Sequence, residues 1–173
     1  MDASRVVVVM GVTGTGKTTV GRRLAEGLGV PYAEADDFHS EANIARMSAG
    51  KPLKDEDRVP WLDAIGAWAA GQAGQGGVVS CSALRRAYRD RLRAAAPELF
   101  FVHLVGDRRL IADRLAGRQD HFMPPTLLDS QFALLEPLQE DEAGAAVSVV
   151  DPSETVAARA QEAVAAAPPP SAS

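Results

Sequence analysis

Directly behind the apolar run VVVVM, residues Gly11 to Thr18 read GVTGTGKT. Few eight-residue stretches restrict a fold so tightly. The spacing G-x-x-x-x-G-K-[ST] falls on Gly11, Gly16, Lys17 and Thr18, and it belongs between a buried strand and the start of a helix. Glycines let the backbone curl so that successive N–H groups face inward, and a helix N-terminus beneath them adds positive potential. That concave row of donors suits phosphate oxygens. Lys17 would then neutralise the β- and γ-phosphates of a nucleoside triphosphate, and the Thr18 hydroxyl would ligate Mg²⁺. Thr13, Gly14, Thr15 and Thr19 complete the stretch expected to face the nucleotide. A mere glycine-rich turn has no use for Lys-Thr at that place.

The rest of the chain alternates strands and helices. RVVVVM, YAEA, VVSCSAL, LFFVHLVG and AVSVV read as strands, and the segments between them are long enough for helical crossovers. Ser40 and Asp107 are expected N-caps, Gly29 closes the first helix, and a third helix is expected to begin near Pro60. A doubly wound α/β fold with a five-stranded parallel sheet follows. At 173 residues and 46% hydrophobic composition the chain fits one domain, 1–173, with an ordered core over 5–166. MDAS and residues 167–173 carry too few bulky apolar groups to pack and are expected to be mobile. The net charge of −5 argues against nucleic-acid or anionic-membrane partners. One cysteine, no long apolar stretch and no signal-like N-terminus point to a soluble cytoplasmic protein.

Several nucleotide users are disfavoured by what the chain lacks. It has no N-K-x-D stretch, no L-S-G-G-Q, and no strand ending in an apolar run followed by Asp-Glu. Small phosphotransferases remain. In a doubly wound sheet, ligands sit beyond the carboxyl ends of the strands. There the second strand runs into EADDFH, placing Asp36, Asp37 and His39 near the cradle if that strand neighbours the first. Asp36 could take the proton of an attacking hydroxyl and help hold the metal's water shell. Asp37 equally suits a cap for the next helix.

With these stretches in view, the chain resembles the small gluconokinases of the P-loop kinase superfamily. The resemblance runs from Val6 to about Asp151 and rests on MGVTGTGKT, ADDFHSEANIARMSAGKPLKDEDRVPWL, CSALRRAYRD, RLAGRQDHFMPPTLLDSQFALLEP and VVD. It implies a nucleoside-monophosphate-kinase-like fold, a homodimer, and transfer of phosphate from ATP to the 6-hydroxyl of D-gluconate. It further implies a lid over 118–125 with Arg118 against the adenine and His121, in the lid, binding substrate, and Asp151 and Pro152 near the base. The chain departs from the family pattern at Ser40, Glu34, Lys54 and Arg85. At Asp120 it places an acid before His121 where the family has Gly.

A sugar acid needs a cation for its carboxylate and polar groups for its hydroxyls. Arg58, Arg85 and Arg89 are candidates for the first, because a guanidinium fork meets a carboxylate bidentately. His39, Asn43 and Asp36 are candidates for the second. Arg86, Arg91 and Arg93 read as a solvated helix face, and Met47, Trp61, Leu62 and Trp68 as core. Two rivals stand beside this reading: a shikimate-type metabolite kinase, and an idle ATP-binding module. Damage at Lys17, Thr18 or Asp36 would mark the latter, and all three are intact.

Overall fold

The strand β1 (Val6–Met10) lies at the centre of a five-stranded sheet with order β2-β3-β1-β4-β5, every pairing parallel. Its partners are β2 (Tyr32–Glu34), β3 (Gly77–Ser80), β4 (Phe100–Val105) and β5 (Gly144–Ser148). The computed structural model describes residues 5–51, 53–117 and 125–168. The expected lid residues 118–124, with Arg118, Asp120 and His121, lie outside the described residues, as do 1–4 and tail residues 169–173. Of the expected tail, Pro168 accepts a hydrogen bond from the Arg5 guanidinium.

Alternation along β1 explains its unbroken apolar sequence. Val7 and Val9 join one core cluster with Val20, Leu24, Val102 and Ile111. Val6, Val8 and Met10 join the opposite one with Trp61, Ile65, Val79 and Phe101. Both faces are covered, so both must be apolar, and each fully buried valine contributes roughly 1.5–3 kcal/mol. The helices α1 (Lys17–Leu28) and α7 (Ser153–Ala166) pack together on the first face. On the second lie α3 (Asp55–Gly71) and α4 (Arg86–Ala95). Three further helices are α2 (Glu41–Ser48), α5 (Arg108–Ala116) and α6 (Pro125–Leu134).

The expected caps are present: Ser40 Oγ accepts from the Asn43 amide at 3.1 Å, and Asp107 from Leu110 at 2.8 Å. Four expectations need correction. First, α3 starts at Asp55, five residues before Pro60. The Asp57 carboxylate accepts from the Lys54 amide at 2.8 Å, and Asp55, Glu56 and Asp57 crowd the helix's positive end. Pro60 sits on the exposed side, so the Glu56 carbonyl it leaves unpaired faces water. Second, β5 ends at Ser148 rather than reaching Val150, because its ladder stops where β4 stops, at the Val105–Ser148 pair. Val150 is 67% exposed. Third, β3 separates β2 from β1. Fourth, Met47 is not core: it is 43% exposed on α2.

No helix among the described residues is long and apolar enough to cross a membrane.

Candidate active site

The cradle is built by backbone. Gly14 and Gly16 sit at φ of 86° and 87°, a region that L side chains rarely enter, and Gly16 hands the chain into α1 at Lys17. A methyl group on Gly14 would also lie 2.9 Å from Ile111 of α5. Thr15 is buried and braces the loop from within, its hydroxyl donating to the Val12 carbonyl at 2.9 Å. Lys17 Nζ donates to the carbonyls of Gly11 and Val12, at 3.0 and 3.1 Å. The ammonium is thereby held over the loop rather than extended into solvent. Thr19 stands exposed in the first turn of α1.

Thr18 points to a partner that sequence reasoning missed. Its hydroxyl donates to Glu34 Oε1 at 2.6 Å, and the same carboxylate accepts from the Tyr32 hydroxyl. Tyr32 and Glu34 are two apart on β2 and so share a face. Ser80 Oγ, 2.8 Å from the Tyr32 hydroxyl, donates to the Lys17 carbonyl at 2.9 Å. Burial, and next the Glu34 carboxylate, push the Tyr32 phenol up to about 12, so it stays protonated as a donor. A hydroxyl and a carboxylate at contact distance are the hard oxygen donors that Mg²⁺ takes. The residues present therefore fit that ion.

The cradle opens into a cleft of about 450 Å³, lined by Lys17, Thr18, Glu34, Asp36, Trp61 and Gln131 among others; His39, Asn43, Arg58 and Arg85 are not among its lining residues. Although β2 is an edge strand, Asp36 reaches this cleft because a 3₁₀ turn, Ala35–Phe38, follows at once. The Trp61 indole N–H pins that turn, donating to the Ala35 carbonyl at 2.7 Å. Asp37, next in the turn, is exposed. A larger hollow of about 1140 Å³ lies at the opposite end of the sheet, lined largely by alanines. It gathers no comparable set of phosphate-binding groups, so chemistry rather than size selects the smaller cleft.

Trp61 also carries the His39 ring, stacked at 4.4 Å with 6° between planes. Burial, followed by the Arg58 charge, holds His39 below its ordinary 6.5 against the opposing pull of Asp36. Its ring is neutral at pH 7 and able both to donate and to accept. Asn43 is buried, and its amide nitrogen donates to the Asp57 carbonyl at 2.9 Å while lying 3.4 Å from His39 Nδ1. That use ties α2 to α3 and steadies His39.

Arg58 Nη1 donates to the Tyr88 hydroxyl at 3.1 Å and lies 3.4 Å from Asp55, and Tyr88 donates to the same Asp55 carboxylate at 2.8 Å. Arg85, half-buried at the N-cap of α4, makes no ion pair with a described residue, and its charge is felt at Tyr88 together with that of Arg58. Arg58 thus has one largely exposed carboxylate, Asp55, and Arg85 has no carboxylate partner among the described residues, which leaves an excess of positive charge.

Among the carboxylate-binding candidates, Arg89 is the one that the structure rules out. Its side chain is fully buried; Nε and Nη2 meet the two Glu142 oxygens at 2.7 and 3.0 Å, and Nη1 donates to the Ala83 carbonyl at 2.9 Å. The bidentate fork is already filled by a carboxylate of the chain itself. Burial alone would raise the Glu142 carboxyl, but bonds from Arg89, the Gln139 amide and Arg93 bring it down to about 2. Asp151 faces Arg159 at 2.5 Å, and Pro152 begins α7 by accepting from the Val156 amide at 3.1 Å. Both lie just past the carboxyl end of β5, on the rim of the cradle side.

Residues 7–124 match the family model described as an AAA domain. The chain is 49% identical over 140 residues to a gluconokinase of Gluconobacter oxydans, covering 80% of this chain and 79% of that one. It is 42% identical over 142 residues to the thermosensitive gluconokinase of Escherichia coli, covering 81% and 76%. The crystal structure of a gluconokinase from Sinorhizobium meliloti superposes with a TM-score of 0.88 at 43% identity, covering 95% of this chain and 94% of that one. With its cradle, flanking helices and five parallel strands, the chain belongs to the gluconokinase family of P-loop kinases.

Proposed function

We propose that the protein transfers the γ-phosphoryl group of ATP to the 6-hydroxyl of D-gluconate, giving 6-phosphogluconate and ADP. The observation that carries this is one cleft that both the Lys17 cradle and Asp36 line. The loop amides and Lys17 bind the phosphates, and Lys17 leaves its two loop carbonyls for the charge that develops on the transferring group. Asp36 orients the 6-hydroxyl and receives its proton. His39, neutral and fixed against Trp61, hydrogen-bonds the sugar hydroxyls, with Asn43 as its support. Arg58 and Arg85 take the carboxylate, which puts the acid end of the substrate away from the phosphates.

Mg²⁺ belongs to this reading, with Thr18 as ligand and Glu34 beside it; it supplies charge neutralisation at the β- and γ-oxygens. Arg118, Asp151 and Pro152 are assigned to the adenine side, and His121 to the lid over 118–125, on the family resemblance. The same resemblance supports a cytoplasmic homodimer, which light scattering tests directly. The formal charge of −5 supports a function without nucleic acid or membrane.

A coupled assay of ADP release with ATP, Mg²⁺ and a panel of sugar acids and shikimate tests the reading. Turnover should be greatest with gluconate and absent with shikimate. Equal turnover across the panel, or none with gluconate, would contradict it.

A further inference from the structure

One polar side chain of the cleft has no part in the account so far. Gln131, on α6, lies opposite the glycine loop and lines the same cleft as Lys17 and Thr18. Its Oε1 accepts from the Thr13 backbone N–H at 2.6 Å, a short bond that crosses 118 residues of sequence. An amide N–H can meet only an acceptor, so this bond decides which end of the Gln131 amide faces the loop. Oε1 is spent on Thr13. Nε2, with two donors, is turned the other way, and no described residue accepts from it.

We propose that Gln131 is a nucleotide-binding residue of this kinase: clamped by its oxygen to the loop, it presents its Nε2 donors to the phosphates of ATP. The inference rests on the cradle's holding those phosphates, as argued above. Three features support it. The clamp restricts the side chain before ligand arrives, so a donor is pre-aimed at little further ordering cost. The helix that carries it is tied to α5 through an Asp129–Arg108 ion pair, and α5 in turn packs on Gly14 through Ile111 and Leu115. Gln131 is therefore set relative to the loop from two directions. Finally, an uncharged donor adds hydrogen bonding beside Lys17 without a second cation to release after transfer.

The test uses Gln131→Glu and Gln131→Leu in the full chain, with KM for ATP and for gluconate, and calorimetric titration of β,γ-imido-ATP with Mg²⁺. Glu keeps the acceptor for Thr13 but replaces the donors with a carboxylate oxygen. We expect it to weaken ATP analogue binding about tenfold or more, with gluconate KM within about twofold. Leu removes clamp and donors together and should weaken analogue binding about fivefold or more. Should Leu prevent folding, as judged by Tm, the Glu variant decides alone. A Glu variant that binds the analogue like the unaltered protein would reduce Gln131 to a loop clamp and overturn the proposal. So would a loss confined to gluconate. Failure of the unaltered protein to bind the analogue would instead remove the cradle reading itself.

Discussion

The two walls of the cleft are made of different material. The nucleotide wall is backbone: amides of residues 13–19, two left-handed glycines and a helix N-terminus, with one lysine laid across them. The proposed acceptor wall is side chains: Asp36, which lines the cleft from a 3₁₀ turn, and, outside the cleft's own lining, His39 from the link to α2, Arg58 from α3 and Arg85 from the start of α4. Backbone donors have a geometry set by chain conformation, so eight consecutive residues suffice to specify them. Side-chain groups need partners to aim them, and here distant ones take part: Trp61 for His39, and Tyr88 for Arg58 beside the nearby Asp55. One wall is a local property of the chain. The other exists only in the folded protein.

The difference is open to direct test. The largest effect should follow from Lys17→Ala, which removes the charge from the nucleotide wall: kcat should fall by roughly 10²–10³ or more with the fold retained. Near-normal turnover in that variant, by the coupled assay, would break the assignment of the wall. Asp36→Asn keeps size and most hydrogen bonding and should lower kcat about a hundredfold, with a smaller change in gluconate KM. A raised Mg²⁺ requirement in the same variant would show that the carboxylate also serves the metal's water shell. Retention of most of the kcat at saturating Mg²⁺ would leave Asp36 a positioning group.

Arg58→Ala acts on the acceptor wall alone. Losing a charge-assisted hydrogen bond to a bound anion costs about 1.5–3 kcal/mol, so gluconate KM should rise about tenfold or more with ATP KM unchanged. A rise in ATP KM instead would move Arg58 to the nucleotide wall. The smallest effect at neutral pH, none at all, is expected from His103→Gln. This buried histidine of β4 is held at about 4, by burial first and the Arg89 charge second, against an ordinary 6.5. The unfolded chain therefore takes up a proton at His103 as pH falls through 6.5, whereas the folded chain does so only near 4. Stability is fully present above 6.5 and declines below it. Thermal melts of the variant should show a shallower decline between pH 6.5 and 4, and an unchanged slope would put the acid sensitivity elsewhere.

Legibility in the sequence follows the same division. The loop, the central strand and the caps at Ser40 and Asp107 depend on neighbours within a few residues, and the structure has them as expected. The start of α3 was hidden because the group that accepts from the N-cap amide is Asp57, while Pro60 offered the more familiar signal. Arg89 looked like Arg58 and Arg85 because Glu142, 53 residues away, carries no local mark of being its partner. Glu34 and Gln131 were missed for a similar reason. Their roles come from Thr18 and Thr13, which the chain reaches only by folding β2 and α6 around the loop.

In the proposed reaction the two walls meet at a single oxygen, with the acid end of gluconate on the arginines and its far end at Asp36. The most direct measurement is the site of esterification in the product, by ³¹P–¹H correlated NMR of a complete reaction with ATP, Mg²⁺ and gluconate. One phosphate monoester is expected, on carbon 6, with ADP formed in equal amount. An ester at another carbon, or release of inorganic phosphate without an ester, would contradict it.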